Sequence, residues 1–187
     1  MIYFFYDILL LLASLIYLPF YALRGRVHCQ IMTRLGFLGR SAFADLAGRP
    51  TVWIHAVSVG EARATESLLA LMRARWPDKK IVISTVTPTG QAIMRRLVRE
   101  GETVFYAPLD ISWVVRLFLR RIRPEALVIL ETELWPNLIR LAKAQGARVI
   151  VINGRISDRS FRRYQRVKFF LKPILDRIDL FCMQTDE

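Results

Sequence analysis

The sequence predicts an α/β fold: a Rossmann-like parallel sheet with helices on both faces, preceded by a hydrophobic N-terminal helix. Two observations predict the sheet. Short β-rich runs are mostly unbroken apolar stretches, as strands buried on both faces require. They alternate with segments of helical spacing in the order β-α-β-α-β, the pattern of a doubly wound domain. A third observation predicts the extra helix: residues 2–23 are apolar over about one bilayer-spanning length, and Asp7 is their only charge.

The N-terminal stretch reads as a membrane anchor, residues 1–23. Tyr3, Tyr6, Tyr17 and Tyr21 lie toward its ends, where amphipathic rings sit at membrane interfaces, and Pro19 kinks without forbidding a span. Arg24 and Arg26 follow at once, with no Lys or Arg on the other side. The positive-inside rule then places the rest of the chain in the cytoplasm. A cleaved signal peptide would need a basic start and a small-x-small cleavage site, and neither is present. A helix lying in the interface or packed on the domain is the competing arrangement, because Asp7 and Pro19 weaken a span. Residues 24–50 form a basic connector broken by Gly36, Gly39, Gly48 and Pro50.

From residue 51 to residue 187 the chain reads as one Rossmann-like domain. Strands are expected at Val52–Val57, Ile81–Val86, Thr103–Tyr106, Leu127–Leu130, Arg148–Ile152 and Leu180–Gln184. In the helix expected over Glu61–Arg75, Ala64, Leu68, Leu71 and Met72 share a face. Over Ile111–Ile122 the apolar face is Val114, Leu117, Phe118 and Ile122. Over Trp135–Gln145 it is Leu138, Leu141 and Ala142, continued by Leu134, with Pro136 in the first turn.

Composition narrows the function. The chain has 187 residues, 53% of them hydrophobic and 24% charged, which excludes a disordered or low-complexity class. Cys29 and Cys182 are far apart and no Cys/His cluster accompanies them, so neither a disulfide framework nor a metal site is expected. The formal net charge of +12 calls for an anionic partner. Beside a membrane helix that partner is an anionic lipid surface. Nucleic acid is not expected, because no recognition motif accompanies the charge. No GxGxxG or GxxxxGK[ST] run supports a dinucleotide or P-loop site.

In an open parallel sheet, ligands bind outside the carboxyl ends of the strands. The turns there hold the unusual polar residues. Glu61 follows Ser58 and Gly60 at a helix start; it is either a general base for a substrate hydroxyl or a carboxylate that only favours the helix dipole. Glu131 and Glu133 end the most apolar strand. A carboxylate there faces the cleft, or is partnered structurally with a group such as Arg155. Thr87, Thr89 and Gly90 form an anion cradle or an ordinary strand-to-helix turn. Arg155 with Ser157, Arg159 and Ser160 is a phosphate holder or a solvated basic loop. His55, inside a strand, reads as structural.

These motifs occur together in a known order. His55-Ala-Val-Ser-Val-Gly-Glu61, Ser84-Thr-Val-Thr-Pro-Thr-Gly90, Pro108-Leu-Asp110, Glu131-Thr-Glu-Leu-Trp-Pro-Asn137 and Asn153-Gly-Arg-Ile-Ser-Asp-Arg-Ser160 resemble the N-terminal half of the 3-deoxy-D-manno-octulosonic acid (Kdo) transferases of lipopolysaccharide synthesis. The resemblance implies an inverting twin-Rossmann glycosyltransferase at the cytoplasmic face of the inner membrane. It implies transfer of Kdo from CMP-Kdo to a lipid A precursor, lipid IVA, without cofactor or metal. By the same resemblance Glu61 is the base, Glu131 stabilises the transition state, and residues 51–187 are the acceptor-binding domain. Ser58, Gly60, Thr87, Thr89, Gly90 and Arg155 become substrate-binding candidates. The chain departs from the pattern at Gly154, where the family usually has Ala. It also stops about where a second, nucleotide-binding domain would begin. The expectation is an acceptor-side half needing a separately encoded C-terminal domain; the alternative is a catalytically inactive, membrane-anchored lipid-binding module or a truncated fragment.

Overall fold

Six parallel strands lie in the order β3-β2-β1-β4-β5-β6. They are β1 (Thr51–His55), β2 (Lys80–Thr85), β3 (Thr103–Tyr106), β4 (Ala126–Leu130), β5 (Arg148–Gly154) and β6 (Leu180–Met183). The helices are α1 (Ile2–Leu23), α2 (Ile31–Arg34), α3 (Ala62–Arg75), α4 (Pro88–Leu97), α5 (Ser112–Ile122), α6 (Pro136–Ala144), α7 (Asp158–Arg166) and α8 (Lys168–Leu175). This computed structural model describes residues 2–23, 31–39, 42–46, 48–57, 62–156 and 158–184.

The strand order reverses between β1 and β4, so the crevice of the sheet opens at the carboxyl ends of those two strands. His55 stands opposite Ile129 in that pair. The sheet is central because its strands are apolar on both faces. On one side Trp53, Phe105, Leu127 and Val149 pack with Phe118 of α5, Leu138 of α6 and Ile174 of α8. On the other, Ile54, Ile83 and Leu130 pack with Leu69 and Met72 of α3 and Met94 of α4.

Two helix faces differ from the expected ones. In α3 the deeply buried residue is Leu69, while Leu71 is 70% exposed. In α5, Val115 and Leu119 are buried and Leu117 is 41% exposed. Both helices turn about their axes by roughly one position relative to the sequence pattern, because the sheet buries a broader stripe than a two-turn motif reveals.

Local chemistry sets the helix ends. Pro88 opens α4 behind Thr87, whose hydroxyl accepts from Gly90 N at 3.0 Å. Helix α5 closes on Arg123 in the left-handed conformation. Within the connector, Phe43 lies against Phe105 and Phe118, and Leu46 is buried. At Gly154 a Cβ would come 2.7 Å from Met183 Sδ. The neighbouring strand's methionine thus occupies the space that an alanine would fill.

The largest correction concerns α1. Among the described residues no helix is long and apolar enough to cross a membrane. The single-pass anchor expected over residues 1–23 finds no support there, and the described helix is fastened to the domain through its polar stripe. Asp7 Oδ1 accepts from Ser112 N at 2.9 Å and from Asn137 Nδ2 at 2.8 Å. The Tyr6 hydroxyl donates to Asp110 at 3.1 Å. The Tyr3 ring lies 4.5 Å from the Arg140 guanidinium. The opposite face of α1 is apolar and exposed, with Phe4, Phe5, Leu9, Leu12, Leu15 and Ile16 outermost.

Candidate functional site

The rim above the β1–β4 crevice is built from three turns. The first follows β1, and its residues Ser58, Gly60 and Glu61 lie outside the described residues. Its flanks are described: β1 ends at His55, and α3 starts at Ala62.

The second turn follows β4 and carries Glu131. Its backbone is left-handed, with φ at 60°. That region is unfavourable for a long side chain and is found where surrounding structure over-determines it. The restraint is visible: Glu131 N still donates to Ile152 O at 2.9 Å, extending the β4–β5 ladder one residue past the strand. Glu131 is half-buried, and among the described residues it makes no ion pair with Arg155 or any other cation. Thr132 Oγ1 instead donates to Arg155 O at 2.7 Å, tying the β4 turn to the turn after β5. Arg155 is exposed beside it. Asn153, at the end of the adjacent strand, is also left-handed with φ at 58°.

The third turn follows β2. Thr87 and Thr89 are exposed, and Gly90 is buried. The Thr87 hydroxyl caps α4, so this turn's polar atoms are partly committed to the helix. A Cβ on Gly90 would meet Thr87 Oγ1 at 3.0 Å and Val57 O at 3.6 Å. The tight contact is with Thr87 of the same turn; Val57 O of the β1 turn lies at ordinary van der Waals distance. Described members of the candidate set therefore stand on the carboxyl-end rim: Glu131 and Arg155 together, Thr87, Thr89 and Gly90 on the other flank of β1.

Beneath the rim is a buried polar support. Trp53 Nε1 donates to Ser84 Oγ at 2.7 Å, and Ser84 Oγ lies 2.8 Å from His55 Nδ1. The indole can only donate, so Ser84 Oγ accepts from it, and the imidazole tautomer sets which of Ser84 Oγ and His55 Nδ1 donates to the other. His55 is fully buried, and desolvation pulls its pKa down to about 3, helped by the nearby positive charge of Arg34. It is neutral. Its ring packs edge-to-face on Trp135 with centroids 4.7 Å apart. Trp135 precedes the first turn of α6, so His55 props the end of the turn that begins at Glu131.

Asp110 supports the same turn from the other side. Its Oδ2 accepts from Asn137 N at 3.0 Å and its Oδ1 from Leu138 N at 2.8 Å, capping α6 from a distant loop. Burial pushes its carboxyl up to about 7, against the pull of these N–H groups and the Tyr6 hydroxyl. Asn137 then reaches Asp7 and Asp110 O through its amide, and Ser112 Oγ donates to its Oδ1. Sequence reasoning placed Asp110 on the rim but did not find its partners. The signal was available: Trp135 gives α6 no cap of its own, so the helix needs an acceptor from elsewhere. Arg34 was also missed. It is half-buried, and its Nε donates to Ala107 O at 3.0 Å after β3.

The comparisons with known proteins agree with this architecture. Residues 30–187 match the family model described as 3-deoxy-D-manno-octulosonic-acid transferase (kdotransferase). A bifunctional glycosyltransferase/methyltransferase of Fusobacterium nucleatum is 37% identical over 97% of this chain and 28% of its own length. The 3-deoxy-D-manno-octulosonic acid transferase of Haemophilus influenzae is 31% identical over 98% of this chain and 43% of its own. That of Bordetella pertussis is 35% identical over 82% of this chain and 36% of its own. The chain therefore spans less than half the length of these curated relatives. Its motifs, its parallel sheet and its match over most of its length lead to one conclusion: the chain belongs to the 3-deoxy-D-manno-octulosonic acid transferase family of glycosyltransferases.

Proposed function

We propose that this chain supplies the acceptor side of Kdo transfer from CMP-Kdo to a phosphorylated lipid A precursor such as lipid IVA. The observation that carries the reading is Glu131, held in a left-handed backbone at the end of a central strand, at the crevice where strand order reverses. A strained, half-buried carboxylate without a cation partner among the described residues is poorly explained by stability and well explained by a charge to be met.

In this reading Glu61 takes the proton from the acceptor hydroxyl as its oxygen attacks the anomeric carbon of Kdo. The bond from that carbon to the CMP phosphate breaks, and CMP leaves with the electron pair. Attack opposite the leaving group inverts the centre. Glu131 stabilises the oxocarbenium-like charge that develops between the two events. Support for pairing the two carboxylates comes from topology: their turns leave adjacent parallel strands, β1 and β4, in the same direction. Ser58, Gly60, Thr87, Thr89, Gly90 and Arg155 surround the acceptor. The donor nucleotide is bound mainly by protein corresponding to the part of the relatives that this chain does not span.

The reaction takes place at a membrane surface. The exposed apolar face of α1 continues onto Phe169, which is 72% exposed, and the chain carries a net charge of +12. Such a surface lies in the headgroup region of an anionic leaflet without crossing it.

The test mixes labelled CMP-Kdo and lipid acceptor with this chain, alone and with a separately supplied second domain. Transfer by the pair supports the proposal. Acceptor binding with no transfer under any combination supports the second reading, a lipid-binding module without catalysis.

A further inference from the structure

A groove of about 380 Å³ opens beside Glu131, between the turn after β4 and the α7–α8 pair, and no residue of the proposed reaction uses it. Its size falls within the range of small-molecule sites, roughly 300–1,000 Å³. Val151 of β5, wholly buried, lines it together with Leu134, Leu171, Leu175 and Phe181. Thr132, next to Glu131, stands at its rim end. Lys168 and Lys172 also border it; Lys172 pairs with Asp176 at 2.7 Å, whereas Lys168 pairs with no acid among the described residues.

We infer that this groove takes one fatty acyl chain of the acceptor, with the phosphorylated head group lying at the rim beside Thr132 and Glu131. The inference rests on the acceptor reading and names where the lipid's apolar part goes. An amphiphile fits on two counts. The apolar lining is continuous with a polar rim, so one molecule meets both environments. The charge is complementary: Lys168, which borders the groove, and Arg155, next to the lining residue Ile156, offer cations to a head group that bears phosphate. A chain lodged here is lifted out of the bilayer far enough for its sugar to reach Glu131. The exposed face of α1 then holds the protein at the surface and binds no single lipid.

The test measures binding of octanoyl, decanoyl and dodecanoyl glucosamine phosphates, below their micelle concentrations, to this chain. Affinity is expected to rise roughly tenfold for each two methylenes added. Leu175→Arg and Phe181→Arg alter partly exposed positions of the groove and are expected to weaken the dodecanoyl compound at least tenfold. Phe169→Arg, against α1, leaves it unchanged. A diazirine-tagged dodecanoyl compound on the unaltered protein is expected to label α8 and β6, a result independent of how the variants fold. Labelling confined to α1 and Phe169, or head-group binding without dependence on chain length, overturns the inference and leaves the acceptor reading standing. Equal affinity for an acyl chain on a head group lacking sugar and phosphate overturns the acceptor reading and leaves the acyl groove.

Discussion

Asp7 and Asn137, separated by 130 positions in the sequence, meet through a hydrogen bond of 2.8 Å. The only charge in the apolar N-terminal helix thus reaches the last residue of the motif that begins at Glu131. The bond joins the element nearest the lipid layer in our proposal to the turn that holds a proposed catalytic carboxylate. The same oxygen of Asp7 also accepts from Ser112 N, so two donors depend on it.

Asp7→Leu removes that acceptor and leaves both donors without it. The expected loss is about 1–3 kcal/mol of unfolding free energy. Urea unfolding of the variant checks this. A helix that merely spanned lipid would tolerate or favour the change, so a stability equal to that of the unaltered protein contradicts the docked arrangement.

The pH dependence of stability separates His55 from Asp110. The folded pKa of His55 lies near 3, below its ordinary 6.5, so its contribution to stability is complete above about pH 6.5 and is lost as pH falls toward 3. The folded pKa of Asp110 lies near 7, above its ordinary 3.8, so its contribution is complete below about pH 3.8 and is lost as pH rises toward 7. The two slopes oppose one another between about pH 4 and 6.5. Relative to the unaltered protein, His55→Gln is expected to lose stability more steeply as pH rises through that window. Asp110→Asn is expected to gain more steeply. Denaturant midpoints across the pH range check both signs.

At Glu131 stability and function are expected to diverge. Replacement by Gly relieves a left-handed backbone that glycine adopts freely, offset by glycine's greater freedom in the unfolded chain. The unfolding free energy of Glu131→Gly is expected to stay level or rise by up to about 1 kcal/mol, while transfer falls at least ~100-fold. A substantial loss of stability assigns the carboxylate a structural role instead.

Much of this was legible in the sequence, for reasons particular to each element. Strands such as Ala126–Leu130 declare themselves because burial on both faces demands unbroken apolar residues. Glu131 stands out because it follows such a strand at once. The role of α1 was harder to read. Its composition fits a membrane span, and only the partners of Tyr6 and Asp7, more than 100 positions away, reveal that its polar stripe faces protein. Asp110 as a cap for α6 was hidden for the same reason: the helix and its acceptor belong to different segments. The burial of Leu69 in place of Leu71 depends on how α3 rolls against the sheet, which periodicity alone does not fix.

The most direct test of the central claim is Kdo transfer by this chain with a separately supplied second domain, comparing Glu61→Gln and Glu131→Gln with the unaltered protein at saturating acceptor. The account expects each substitution to lower the rate at least ~100-fold while acceptor binding persists. Transfer at an undiminished rate in either variant contradicts it.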